Sequence, residues 1–164
     1  ETVSKYINDI DHSVDVFVNE QDQLLHLSQS LTELSSKFPP KEKIHFLDQR
    51  FNEHKEWVNT LKQGIERHDA NLNLQLNHCK CKFGKWYSNY NADYEERQIF
   101  NAIDAPHKSI HESGKKAIDA LKSGNQQLAE SIFQNETLKY MKQIEHLFEQ
   151  YKNLQKEKMA KVKN

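Results

Sequence analysis

Apolar residues in this chain recur at alternating steps of three and four, a spacing that admits little except α-helix packed on α-helix. From Val3 to Phe38 the stripe is Val3, Ile7, Ile10, Val14, Phe17, Leu24, Leu27, Leu31, Leu34 and Phe38, broken once by Gln21. Sustained over several heptads, it is the seam of a coiled coil or bundle helix. Pro39-Pro40 ends it: the first proline disfavours helical geometry in the residue before it, and neither donates a backbone hydrogen bond. Four glycines and three prolines in 164 residues leave few breakpoints for the turns of a sheet.

Past the prolines the stripe resumes. Leu47, Phe51, His54, Val58, Leu61 and Ile65 predict a helix from about Glu42 to Arg67. Leu74, His78 and Cys81 predict a third helical stretch from Asn71, which Phe83-Gly84 breaks, with an aromatic loop (Trp86, Tyr87, Tyr90, Tyr94) after it. A short helix is expected from Glu95 to Ile103. Asp104 and Pro106 then read as a fresh start, an acid capping free amides and a proline tolerated in the first turn. That helix runs to Ser123-Gly124-Asn125, and a last one spans Gln126 to about Lys156. The fold expected is all-α: an up-and-down, four-helix-type bundle with a long, coiled-coil-like helix at its N-terminus. The divisions are 1–38 for that helix, 41–156 for the bundle and 157–164 for a basic tail.

Charge and cysteine usage narrow the function. Lys and Arg number 23 against 24 Asp and Glu, a net charge of −1, and only the tail is locally basic. The concentrated positive field that nucleic acid requires is missing. No apolar run approaches the ~20 residues that cross a bilayer, so this stretch is not expected to insert in a membrane. A start at Glu1 is expected of a fragment or processed form, and nothing there resembles a signal peptide. It can still be the cytoplasmic part of a membrane receptor. Cys79 and Cys81 stand too close together to staple a fold, which favours a reducing, cytoplasmic compartment.

Nine histidines are many for this length. His12, His26, His45, His68 and His146 stand apart or on polar faces and read as surface residues. His107 and His111 are four apart, so on a helix both imidazoles leave one face a turn apart and can reach one cation. His54 occupies an apolar slot. There it is either a core histidine bonded to a backbone carbonyl or a metal ligand, since an unsatisfied buried imidazole costs about 1–3 kcal/mol. Cys81 is either a small buried hydrophobe or the soft ligand. Three histidines and one cysteine would close a tetrahedral zinc shell, with imidazole nitrogen at about 2.0–2.1 Å and thiolate sulfur at about 2.3 Å. A closed shell leaves no open position for a substrate, so the site reads as structural or sensory rather than enzymatic.

Taken together, His54-x-x-Trp57, Cys81-x-Phe83-Gly84-x-Trp86 and Ala105-Pro106-His107-x-x-x-His111, in that order and spacing, resemble the chemoreceptor zinc-binding domain of bacteria over roughly residues 43–151. The resemblance implies one zinc ion per chain held by His54, Cys81, His107 and His111 in a four-helix-bundle-like fold, with Trp57, Gly84 and Trp86 structural around it. It implies a homodimer and a cytoplasmic module of chemoreceptors or of diguanylate cyclases that make cyclic di-GMP. It also implies Cys81 as the responsive residue, to zinc level or to an oxidant such as hypochlorous acid. Residues 24–38 are similar to the end of a chemoreceptor signalling helix, or are a plain dimerisation helix. His78-Cys79 adds a second thiol beside the expected ligand, competing for metal, pairing with an oxidised Cys81 or inert. Two other readings stand: a hemerythrin-like di-iron bundle, which needs more histidines and bridging carboxylates, and a structural coiled-coil adaptor with incidental histidines.

Overall fold

The structure is a computed structural model and describes residues 13–14, 16–27 and 39–162. The chain divides into two units, residues 1–37 and 38–164. In the first, α1 (residues 16–27) is helical, and Val14, Phe17, Leu24 and Leu27 of the seam are exposed. The rest of the seam, and most of the stretch that resembles a signalling helix, lie outside the described residues.

The second unit is helical, and no strand occurs among the described residues. Helix α2 (Pro40–Glu66) starts with Pro40 in its first turn and the acidic Glu42 near its amide end, where a carboxylate is favoured by the helix dipole. Helix α3 (Lys82–Tyr87) is short, α4 (Arg97–Lys122) is long, and α5 (Gln126–Ile132) passes through a π-helical turn at Phe133–Thr137 into α6 (Leu138–Val162). Helix α6 packs on α2 and on α4, and α5 lies against α4. Leu61 and Ile65 of α2, Ile103 and Ile110 of α4, and Ile144, Phe148 and Tyr151 of α6 form the buried centre. The all-α bundle expected from the periodicity is what the chain forms. The residues read as a basic tail are helical as far as Val162, and Lys158 bonds Asp93 at 2.5 Å and Glu96 at 3.1 Å.

Three expectations are corrected. Residues 71–77 are not helical. There Leu72, Leu74 and Leu76 are half-buried and alternate with exposed Asn71, Asn73, Gln75 and Asn77, the period of an extended chain rather than a helix. Only a single 3-10 turn, His78–Lys80, follows. Second, Phe83-Gly84 does not break a helix but lies inside α3, with Trp86 and Tyr87. Third, the start expected at Asp104 does not exist, because α4 runs unbroken from Arg97 and holds Pro106 in its interior. The proline removes one backbone donor there, and the chain stays helical because Ile103, Pro106, His107 and Ile110 are all buried against the bundle.

Away from the histidines a polar cluster closes the bundle. Glu96 is fully buried. Its Oε1 accepts from Lys43 at 2.8 Å, Gln155 at 2.8 Å and Lys158 at 3.1 Å, and its Oε2 accepts from Tyr90 at 2.5 Å. Burial alone would raise the carboxyl pKa; the bonds from Lys43, Tyr90, Gln155 and Lys158 together outweigh it and hold Glu96 at about 2. Lys43 of α2, the α3–α4 connection and α6 are joined at one carboxylate.

Candidate metal centre

The apolar seam of α2 carries His54 inward, and the buried face of α4 carries His107 and His111 one turn apart. Cys81 arrives differently. It is the residue before α3, and its sulfur caps that helix by accepting the Gly84 amide at 3.2 Å. Cysteine here takes the place of the usual Ser, Thr, Asp or Asn cap, so the first turn of α3 fixes where the sulfur points.

Four ligand atoms, one from each of His54, Cys81, His107 and His111, lie within 4.8 Å of one another. The Cys81 sulfur is already 3.2 Å from His107 Nε2. The three histidines are 5%, 1% and 2% exposed, so each ring nitrogen must find a partner inside the protein. His54 Nδ1 meets the Arg50 carbonyl at 2.7 Å and His111 Nδ1 meets the Gln75 carbonyl at 2.8 Å. Those bonds place the ring proton on Nδ1 and leave Nε2 with its lone pair free. The Nε2 atoms of His54 and His111 have no partner. A buried nitrogen without a hydrogen-bond partner is unfavourable by about 1–3 kcal/mol, and two of them facing a thiol form an unfinished coordination shell.

Electrostatics agree. Burial lowers the pKa of His54. Burial, then the neighbouring His54 and His111, lower that of His107 to about 2, and burial with His54 lowers that of His111 to about 4. All three rings are neutral at pH 7, the form that binds metal. Burial raises the Cys81 thiol against the pull of the Gly84 and Phe83 amides, so this sulfur keeps its proton until a cation replaces it.

The donors fit zinc(II). Its bond lengths put the ligand atoms of three imidazoles and one thiolate about 3.3–3.6 Å apart in a tetrahedron. The Cys81 sulfur and His107 Nε2, at 3.2 Å, stand a few tenths of an ångström inside that spacing, and atoms as far as 4.8 Å apart would have to close by up to about 1.5 Å. Three imidazoles and a thiolate, with no carboxylate in the cluster, are a set that zinc accepts.

The surroundings assign parts to the other residues. The Gln75 carbonyl that orients His111 also accepts the Trp57 indole N–H at 3.1 Å, and the Trp57 ring lies 5.3 Å from that of His111. Trp57 is therefore beside the site. Trp86 is one layer further out: it packs on Phe83 at 5.8 Å and stacks on Tyr90 at 4.6 Å, while Phe83 meets His107 at 4.7 Å. Gly84 serves by close approach rather than by a turn, because a Cβ there would lie 1.8 Å from the His78 carbonyl oxygen. Gly114, which the sequence did not single out, leaves room for Trp57, whose ring would lie 2.2 Å from an added Cβ. The carbonyls of Arg50 and Gln75 carry no signature in a sequence, because any residue supplies one. His45, His68 and His146 are exposed, as is His26 in α1.

An all-α bundle enclosing a three-histidine, one-cysteine cluster is the class that fold and site define. Residues 54–118 match the family model of the chemoreceptor zinc-binding domain, and the resemblance drawn from the motifs is borne out over that span. No curated protein and no solved structure matched the chain.

Proposed function

We propose that the chain is a zinc-binding sensory or regulatory module of a bacterial signalling protein, such as a chemoreceptor or a diguanylate cyclase, and not an enzyme. The observation that carries this reading is the pair of buried, unpartnered Nε2 atoms of His54 and His111, facing the Cys81 sulfur and His107. His54 on α2, Cys81 ahead of α3, and His107 and His111 on α4 would hold the ion. When bound, zinc would keep the Cys81 sulfur as thiolate and tie those elements together, since metal-binding free energy is also folding free energy.

Cys81 is the residue through which a stimulus would act. It is half-buried where the three histidines are buried, and an oxidant that converts its sulfur to a sulfenic acid weakens it as a ligand. Because the same sulfur caps α3, losing it from the cluster also disturbs the start of that helix. A cavity of about 260 Å³, lined by Glu53, His54, Trp57, Lys82 and His111 among others, reaches Cys81 and gives a small solute a way in. Either zinc depletion or oxidation fits this arrangement.

The exposed Val14, Phe17, Leu24 and Leu27 are the described part of a coiled-coil seam, which supports a homodimer formed by two such helices. No described helix is long and apolar enough to cross a membrane. A cytoplasmic setting, within a chemotaxis or cyclic di-GMP pathway, fits the two free cysteines. The reading is tested by Cys81→Ala: zinc affinity should fall about 10–100-fold or more, as for loss of a group that shapes a metal site, and any oxidant-induced zinc release should vanish. If Cys81→Ala holds zinc and responds as the parent does, the reading fails.

A further inference from the structure

The sequence places a second thiol next to the cluster, and the structure gives it a partner. Cys79 and His78 sit together on the 3-10 turn that precedes Cys81. The Cys79 sulfur is 3.2 Å from His78 Nε2. Cys79 is exposed and His78 half-buried. The Asn77 side chain accepts the Cys79 amide at 2.9 Å, which holds the start of the turn. The pair is not remote: the His78 ring lies 6.0 Å from the His107 ring, and His107 Nε2 is 3.2 Å from the Cys81 sulfur.

A buried four-ligand shell raises a kinetic problem. Three of its members are sealed, and the cavity that reaches the cluster is lined by the ammonium-bearing Lys80 and Lys82 against the single carboxylate of Glu53. Glu53 is already bonded to Lys82 at 2.7 Å and Arg50 at 3.0 Å. That lining repels a divalent cation. His78 and Cys79 do not line the cavity, and they offer the two ligand types the buried cluster uses. Ligand replacement at zinc proceeds readily through a fifth ligand, because the ion has no geometric preference of its own.

We propose that His78 and Cys79 form a second, outer metal-binding pair that receives a soft divalent ion, passes it to the buried cluster, and takes it back on release. The proposal rests on the zinc reading of the four-residue site. On binding, Cys79 gives its thiol proton to solvent and its sulfur joins the metal with the free lone pair of His78 Nε2. His107 is the next ligand inward, followed by Cys81. The pair is too small to hold the ion tightly, and that weakness suits a transfer ligand.

Two measurements on the full chain test it. With zinc loaded, the rate of transfer to a chromogenic chelator is compared among the parent, His78→Gln, Cys79→Ser and the double variant, whose helix content is checked by circular dichroism. The double variant should transfer zinc at least about tenfold more slowly at unchanged stoichiometry. A rate within about twofold of the parent overturns the proposal. In a Cys81→Ser background, cadmium(II) is titrated and the sulfur-to-metal charge-transfer band recorded. The band should persist through Cys79, weaken in Cys81→Ser/His78→Gln and vanish in Cys81→Ser/Cys79→Ser; its absence from Cys81→Ser alone also overturns the proposal. If the parent binds no zinc, the four-residue reading fails by itself, and the cadmium band still judges the outer pair.

Discussion

Two of the three clustered imidazoles, those of His54 and His111, are fixed by a group outside the cluster. Arg50 and Gln75 hold His54 and His111 through their backbone carbonyls, and such supporting bonds set which nitrogen faces the metal. Trp57 shares the Gln75 carbonyl, so its indole also braces the extended segment that carries it. The four clustered positions were legible because residue type and spacing both carry information there. The carbonyls were not, because backbone has no signature. Gly84 shows a half-legible case: the glycine was singled out, but its reason is the His78 carbonyl packed where a Cβ would go. Gly84→Ala should therefore push the 3-10 turn away and misplace Cys81, weakening zinc binding and lowering the thermal midpoint; an unchanged midpoint and affinity would contradict the close approach.

At the scale of elements, α3 depends on the sulfur that caps it. Cys81→Ser keeps an oxygen able to accept the Gly84 amide, whereas Cys81→Ala removes the cap, typically a loss of about 1 kcal/mol. Metal-free Cys81→Ser should therefore be more stable than metal-free Cys81→Ala by about 1 kcal/mol in urea titration, though both lose the thiolate. Equal stabilities would mean that the cap contributes nothing. Similarly, Gly114→Ala on α4 should displace the Trp57 ring from its bed, seen as a change in tryptophan fluorescence together with lower stability. The two elements that depart from expectation do so for different reasons. At 71–77, Leu74, His78 and Cys81 have the spacing of a helical face, but the chain follows the period-two alternation of Leu72, Leu74 and Leu76. Pro106 suggested a helix start because local preference favours one, and burial of the neighbouring turns overrode it.

At the scale of the bundle, the histidine–cysteine cluster and the Glu96 cluster are two separate meeting points of its helices. Lys43, Gln155 and Lys158 lie 53, 59 and 62 residues from Glu96, and partners so distant cannot be paired from one sequence. The bundle itself was legible, because its periodicity is repeated along every long helix. Glu96→Ala would leave Lys43 buried without its counter-charge and should destabilise the fold by about 3–5 kcal/mol, measured by denaturant titration. The sign with pH follows from the lowered carboxyl. Folding holds Glu96 at about 2 against an ordinary 4.5, so its stabilisation is present above 4.5 and lost as pH falls from there toward 2. Over that window it amounts to about 3 kcal/mol, and the loss should be smaller in Glu96→Gln; identical acid profiles would contradict the assignment.

The most direct measurement is metal analysis of the chain purified without added metal, followed by chelator titration under circular dichroism. The expected result is one zinc ion per chain, lost together with part of the helical signal when the chelator wins, and absent when His54, Cys81, His107 and His111 are replaced together. A chain that carries no zinc, or that carries as much after those four replacements, would contradict the metal centre.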